Sequence, residues 1–121
     1  MIPRRNLRSF LSGFAYALQG LLEAIRTQFN IRFHFVATVV VLGMGFYFDL
    51  SIFEWCFILL SIGLMLTAEL LNTAIEYLTD FVSPEYNDLA GKVKDIAAAA
   101  VLCAALVSAV VGLIIFVPKI G

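Results

Sequence analysis

Residues Ile96–Val117 read IAAAAVLCAALVSAVVGLIIFV, twenty-two positions without a charge. Coiled as an α-helix, this run is about 33 Å long, enough to cross the hydrocarbon core of a bilayer. A helix apolar on every side needs lipid or protein around its whole circumference. Toward the N-terminus, Phe33–Phe48 is a second charge-free run, interrupted only by the neutral-capable His34. It is slightly short for a span, which places Arg32 and Asp49 at opposite interfaces. Between these two segments, Trp55–Ala68 supplies fourteen uncharged residues, too few to cross. Completing about 20 residues carries that helix through Glu69 to about Ala74. Glu69 and Asn72 are thereby expected inside the membrane or at its inner boundary.

The composition agrees. Of 121 residues, 62% are apolar and 14% charged, against roughly 45–50% and about 25% in soluble domains. A chain this short hides only about two thirds of its unfolded surface, so a water-soluble monomer would carry large apolar patches. A disordered chain, a disulfide-built secreted domain and a charge-driven nucleic-acid binder are excluded. With eight Lys and Arg against nine Asp and Glu, the formal charge is only -1, and electrostatic partners must be met by local arrangement. Cys56 and Cys103 lie within apolar runs and read as packing thiols, not a bridge or metal pair.

The first thirty residues differ. Leu7, Phe10, Leu11, Phe14, Leu18, Leu21, Leu22, Ile25 and Phe29 recur at three- and four-residue steps, with Arg8, Ser12, Gln19, Glu23 and Arg26 between them. This pattern suits a helix lying on a leaflet, over 5–30. A cleaved signal peptide fits less well, since no unbroken apolar core or small-residue cleavage site follows the arginines. The expected architecture is an all-α membrane protein of one domain, 1–121, with spans at 32–49, 52–79 and 95–117. Arg4, Arg5, Arg8, Arg26, Arg32, Lys92 and Lys94, seven of the eight basic residues, fall on one side, and only Lys119 follows the last span. The N-terminus and the Asp80–Asp95 connection are then cytoplasmic in an inner-membrane protein, with Trp55 an anchor at the outer interface.

The polar residues of Ala68–Asp80, AELLNTAIEYLTD, are sorted. At about 100° per residue, Glu69, Asn72, Thr73, Glu76 and Asp80 share one stripe, and Leu70, Leu71, Ala74, Ile75 and Leu78 occupy the rest of the circumference. Ionisable groups at such depth are costly unless partnered, so the stripe points to a functional site; the structural alternative is interhelical hydrogen-bonding by Glu69 and Asn72. Burial disfavours the charged form of Glu69, which suits it to take a proton from an alcohol. Glu76, about 10 Å further along the helix, is better placed to hold a hard cation such as Mg2+.

In the following loop, Ser83 and Pro84 resemble a cap and a first-turn proline, and Gly91 permits a break before the third span. Lys94 and Asp95 are then expected at the start of that helix, where free N–H groups favour an anion, and a phosphate fits between Lys94 and a metal on Glu76. Their simpler reading is a pair of charges flanking a membrane helix. Tyr16 reads as an interface anchor and His34 as a satisfied neutral imidazole. Ala100, Ala104, Ser108 and Gly112 recur every four positions, a stripe that permits close helix approach either within one chain or between copies. Phosphate-loop, dinucleotide-binding and soluble-kinase motifs are missing, as are a zinc-type Cys/His cluster and a Ser-His-Asp set.

The run Glu69-Leu70-Leu71-Asn72-Thr73-Ala74-Ile75-Glu76, then Asp80, Glu85-Tyr86 and Lys94-Asp95 before an alanine-rich span, resembles the signature of the small bacterial integral-membrane diacylglycerol kinase and undecaprenol kinase family. The resemblance covers nearly the whole chain. It implies a homotrimer that moves the γ-phosphate of ATP to a lipid hydroxyl at the cytoplasmic interface, in composite sites between subunits. Carried to matching positions, Glu69 is the catalytic base with Asn72 supporting it, and Glu76 is the Mg2+ ligand. Lys94 and Asp95 engage the nucleotide phosphates, Asp80 orders that region, and Tyr16 and Glu85-Tyr86-Asn87 match nucleotide-contacting parts. Gln28 stands where many members have a second metal-binding glutamate; its neutral oxygen makes it a weaker contact. Arg8 aligns loosely with an N-terminal arginine of other members.

The segments Arg26-Thr27-Gln28, Phe33-His34 and Gly112–Lys119 resemble the undecaprenol kinase branch, and Ser83–Asp95 also resembles the diacylglycerol branch. The expected acceptor is undecaprenol, with diacylglycerol as the alternative. A different class, a non-enzymatic membrane oligomer acting as scaffold or cation pore, would not require Lys94 and Glu76 on the same side.

Overall fold

The computed structural model describes residues 6–121. Its four helices are α1 (Leu7–Thr27), α2 (Phe29–Tyr47), α3 (Ile52–Val82) and α4 (Asp88–Ile120), with no strand among the described residues. Three of them, α2, α3 and α4, are long and apolar enough to cross a membrane. The chain is an all-α membrane protein. Arg4 and Arg5, and the start of the predicted surface helix, lie outside the described residues.

Asn6 caps α1: its Oδ1 accepts from the Ser9 N–H at 2.9 Å, and the Ser9 hydroxyl accepts from the Asn6 N–H. The apolar face of α1 meets little protein, with Leu7, Phe10, Leu11, Phe14, Leu18 and Leu22 all exposed, as a helix seated in a lipid interface requires. A single extended residue, Gln28, separates α1 from α2, so the surface helix ends three residues earlier than its apolar period suggests. The period carries on into α2, and side-chain spacing cannot register one residue leaving helical φ/ψ.

α2 and α3 are joined by a tight turn. Asp49 adopts φ 51, and the Leu50 N–H donates to the Gly45 carbonyl at 3.2 Å, closing a left-handed helix end. Ser51 then caps α3 by a capping box with Glu54. Gly45 is required here: a Cβ built on it would lie 2.6 Å from Cη2 of Trp55, whose indole rests on the α2 backbone. The core forms at this end, from Leu50, Ile58, Ile115 and Phe116, with Met44, Phe48 and Trp55 packed around it. Trp55 thus packs inward, half-buried, beside Phe46.

α3 and α4 run antiparallel as the most extensive pairing, and α2 packs on α3 without reaching the α4 backbone. Their register is fixed at three levels: Lys119 to Glu54 at 3.1 Å, the Ser108 hydroxyl to the Ser61 carbonyl at 3.3 Å, and Lys94 to Asp80 at 2.6 Å. Ala97 and Ala104 are buried, and Ser108 is half-buried. This places part of the small-residue stripe inside one chain. Gly112 faces an apolar groove. Cys56 and Cys103 are free and exposed on the helix flanks. They are not core thiols, because a helix in lipid turns apolar residues outward as readily as inward.

The α3–α4 connection departs from expectation. α3 continues to Val82, Ser83 is its C-terminal cap, and Ser83-Pro84 start no helical turn. The N-cap of α4 is Asn87, whose Oδ1 accepts from the Ala90 N–H at 2.9 Å, and α4 runs unbroken from Asp88 through Gly91. Lys94 and Asp95 accordingly sit in the second turn with their N–H groups committed to the helix, so the expected free N–H cradle at these residues is absent. An Asn cap seven residues upstream outweighed a single helical glycine, whose cost is only about 1 kcal/mol.

Candidate active site

Along α3, exposure rises from one end of the polar stripe to the other. Glu69 is 3% exposed and Thr73 buried, Asn72 and Glu76 are half-buried, and the Asp80 side chain is 62% exposed. The sequence order of the carboxylates is thus also their order from dry to wet. The stripe holds its rotamers locally: the Thr73 hydroxyl donates to the Glu69 carbonyl at 3.0 Å, and Thr79 to Ile75 at 2.7 Å.

Glu69 is met from α2. Oε1 lies 3.2 Å from Nε2 of His34, whose own side chain is 20% exposed. A buried carboxylate with no partner would be expensive, and the imidazole supplies that partner. His34 is the one ionisable group in the charge-free run of α2, and that depth was the signal that could have marked it as more than a spacer. Asn72 does not reach Glu69. Its Nδ2 makes a long 3.5 Å contact to Oε1 of Glu76, and its Oδ1 is buried without a hydrogen-bond donor. The amide can orient only one group at a time along a helix, and the i,i+4 neighbour wins over the i−3 neighbour here.

At the wet end, Lys94 Nζ binds Asp80 Oδ1 at 2.6 Å. That hydrogen bond holds the Lys94 ammonium above its ordinary range; partial desolvation opposes it, and the charges of Asp80 and Glu76 add to the upward push. Glu76, Asp80 and Lys94 therefore form one electrostatic neighbourhood beyond the charge-free run of α4. At the opposite end of the hairpin, Glu54 accepts from the Ser51 N–H at 2.9 Å and lies 3.1 Å from Lys119 Nζ.

An apolar groove of about 350 Å³ runs between α2 and α4 over a floor of α3. Met44, Ile58 and Phe116 line one end; Phe33, His34 and Leu66 line the other, so its polar end is the imidazole that touches Glu69.

The profile of the prokaryotic diacylglycerol kinase family matches residues 15–116. The chain belongs to that family. An undecaprenol kinase of Bacillus subtilis is 44% identical over 97% of this chain and 95% of its own length. A diacylglycerol kinase of Synechocystis is 35% identical over 93% of this chain and 65% of its own length. One of Escherichia coli is 30% identical over 78% of each. The protein is thus a lipid kinase, and a kinase of this family implies ATP as co-substrate. A non-enzymatic scaffold or pore has no support beside this.

In the kinase, the remaining expected nucleotide contacts are spread. Tyr16 is 70% exposed on α1, and Arg8 is exposed about two turns before it. Glu85, Tyr86 and Asp95 are exposed on the loop and first turns of α4, with the Tyr86 ring laid against Gly91. Asn87 spends both ends of its amide on structure, capping α4 and donating to Ser83. Gln28 is half-buried at the α1–α2 break, with Nε2 3.5 Å from the Thr27 hydroxyl. Thr27 in turn bonds Tyr77 at 2.9 Å, tying α1 to the stripe helix next to Glu76. No three His, Cys, Asp or Glu side chains converge as a metal cage among the described residues.

Proposed function

We propose that this kinase transfers the γ-phosphate of ATP to the terminal hydroxyl of undecaprenol, regenerating a polyprenyl phosphate at the cytoplasmic face of the inner membrane. The observation that carries the reading is the buried Glu69–His34 pair at the polar end of an apolar groove, one helical stretch from Lys94 and Glu76. Undecaprenol is favoured because 44% identity to the Bacillus enzyme extends over nearly all of both chains. Diacylglycerol is the second reading, favoured by the names of the Synechocystis and Escherichia relatives; it offers the same primary alcohol at the same depth.

In this reading the groove takes hydrocarbon from the acceptor, and its hydroxyl lies toward Glu69. The hydroxyl oxygen forms a bond to the γ-phosphorus, the bond from that phosphorus to the bridging oxygen breaks onto ADP, and the hydroxyl proton goes to Glu69. Lys94, held in place by Asp80, faces the phosphates together with the exposed Asp95, Glu85, Tyr86 and Tyr16. Asn87 shapes this corner by capping α4. Most of the rate comes from bringing alcohol and nucleotide together at the interface, since the protein supplies little covalent chemistry.

The donor set suits Mg2+, which takes one or two carboxylates and leaves its other positions to phosphates and water. Glu76 is a half-buried carboxylate, and the orphaned Oδ1 of Asn72 is a hard oxygen beside it. These two would hold the ion, with Gln28 a further neutral oxygen. When bound, Mg2+ would offset charge on the β- and γ-phosphates. Three spans enclose the stripe on few sides, so a homotrimer with sites shared between copies completes the reading.

Purified protein in mixed micelles with labelled ATP, Mg2+ and either undecaprenol or diacylglycerol should label undecaprenol. Label in diacylglycerol alone overturns the acceptor, and label in neither overturns the kinase reading. Glu69→Gln should assemble normally and lose about 100-fold or more in turnover; near-native turnover removes Glu69 from proton transfer.

A further inference from the structure

Glu69 is the expected base, yet at 3% exposure it is sealed, and it does not line the apolar groove. The side chain that does line the groove at that point is His34, with Nε2 3.2 Å from Glu69 Oε1. Neither ring nitrogen of His34 makes a hydrogen bond among the described residues, and its side chain is 20% exposed, so the ring meets the groove as well as the carboxylate. The ring is held edge-on to Phe33, centroids 5.5 Å apart. Its helical turn is braced by the Thr38 hydroxyl, which donates to the His34 carbonyl at 2.7 Å. One imidazole nitrogen thus lies against the buried carboxylate, in a side chain that also lines the groove.

We propose that His34 is the catalytic residue that meets the acceptor hydroxyl, and that Glu69 accepts the proton through the imidazole. This rests on the reading that the protein phosphorylates a lipid alcohol with Glu69 as the proton's destination. As the alcohol oxygen bonds to the γ-phosphorus and ADP departs with the bridging oxygen, the hydroxyl proton moves to Nδ1. The proton on Nε2 moves to Glu69 Oε1, so no net charge is left on the ring. In the reset the Glu69 proton returns to Nε2 and the Nδ1 proton leaves to water, which restores the carboxylate and the starting tautomer. An imidazole faced by a buried carboxylate in this way is oriented for proton passage, the same logic as a nucleophile's histidine backed by an acid. Arg32, exposed and only two residues before His34, is the nearest charge on α2, and α4 presents none between Ile96 and Val117. Glu69 is therefore the charge that governs this ring.

The test compares His34→Gln, His34→Gly and Glu69→Gln, each purified in micelles and checked for native oligomer size. Glutamine keeps a donor toward Glu69 but cannot pass a proton from one end to the other. His34→Gln is expected to lose about 100-fold or more in kcat with KM for ATP unchanged, and added imidazole should restore turnover to His34→Gly but not to His34→Gln. Near-native kcat in His34→Gln with an inactive Glu69→Gln overturns the proposal and leaves Glu69 meeting the alcohol directly. Full activity in Glu69→Gln with an inactive His34→Gln overturns instead the reading of Glu69 as destination. If His34→Gln does not assemble, the imidazole response of His34→Gly decides, and a His34→Gly enzyme that imidazole fails to restore counts against the proposal.

Discussion

The contact between Gly45 and Trp55 separates the stability of this kinase from its chemistry. In Gly45→Ala the new Cβ would stand 2.6, 2.9 and 3.1 Å from Cη2, Cζ2 and Cζ3 of the indole. Carbons in contact sit ~3.5–4.0 Å apart, so the ring must withdraw by about 1 Å. It has little room, since it lies tilted against Phe46 with ring centroids 5.0 Å apart and forms part of the packing around Ile58 and Phe116. Overpacking of this kind costs about 1–3 kcal/mol, and one to two kcal/mol already changes the folded-to-unfolded ratio by a factor of about 5–30. The strain falls at the end of the bundle opposite the Glu69 pair, so kcat per folded protein should stay near wild type. Trp55→Phe removes the outer ring that carries the clashing atoms, and the double variant should recover the loss, giving a coupling of about 1 kcal/mol or more. The assay is unfolding by SDS titration in micelles followed by circular dichroism, because Trp55 is the sole tryptophan and its removal silences fluorescence. Additive effects of the two substitutions, or a Gly45→Ala protein as stable as wild type, would refute the close-approach argument. A large fall in kcat without a fall in stability would refute the assignment of that end as purely structural.

Three further outcomes follow from the site and the hairpin. Glu76→Gln should raise the Mg2+ concentration for half-maximal activity by about 10-fold or more, and an unchanged Mg2+ titration would count against Glu76 as ligand. Lys94→Met should raise KM for ATP by about 10-fold or more through loss of a charge-assisted contact, with Asp80→Asn milder because it removes only the tether; equal effects would show that the tether is the whole function. Glu54 accepts from the Ser51 N–H and lies 3.1 Å from Lys119, so Glu54→Ala should lower stability by about 0.5–2 kcal/mol through loss of the capping box and the tie to α4. SDS titration checks this, and a Glu54→Ala protein as stable as wild type would exclude the Ser51–Lys119 end from the stability of the hairpin.

Much of the site was legible along α3, where one helix carries its own geometry. A period of 3.6 residues places Glu69, Asn72, Thr73, Glu76 and Asp80 on one stripe, and the observed gradient of exposure follows from where the apolar run stops. Lys94 near Asp80 was legible only as a shared side. Their 2.6 Å pairing needed the antiparallel register of α3 on α4. Three readings failed for the same reason, which is that neighbouring signals compete. Asn87 captured the start of α4 from Gly91, Asn72 turned to Glu76 and away from Glu69, and Gln28 broke a period that continued on both sides of it.

Hydropathy and charge order are properties of a segment, summed over twenty or so residues, and they determined from sequence alone that this chain has three spans, a surface helix and a carboxylate ladder. Which residues meet across helices depends on rotation and axial offset, and those are set by packing between segments far apart in the chain. His34 and Glu69 lie 35 positions apart by number. Only the seating of α2 on α3, fixed at its far end where Trp55 lies against Gly45, decides that imidazole and carboxylate touch.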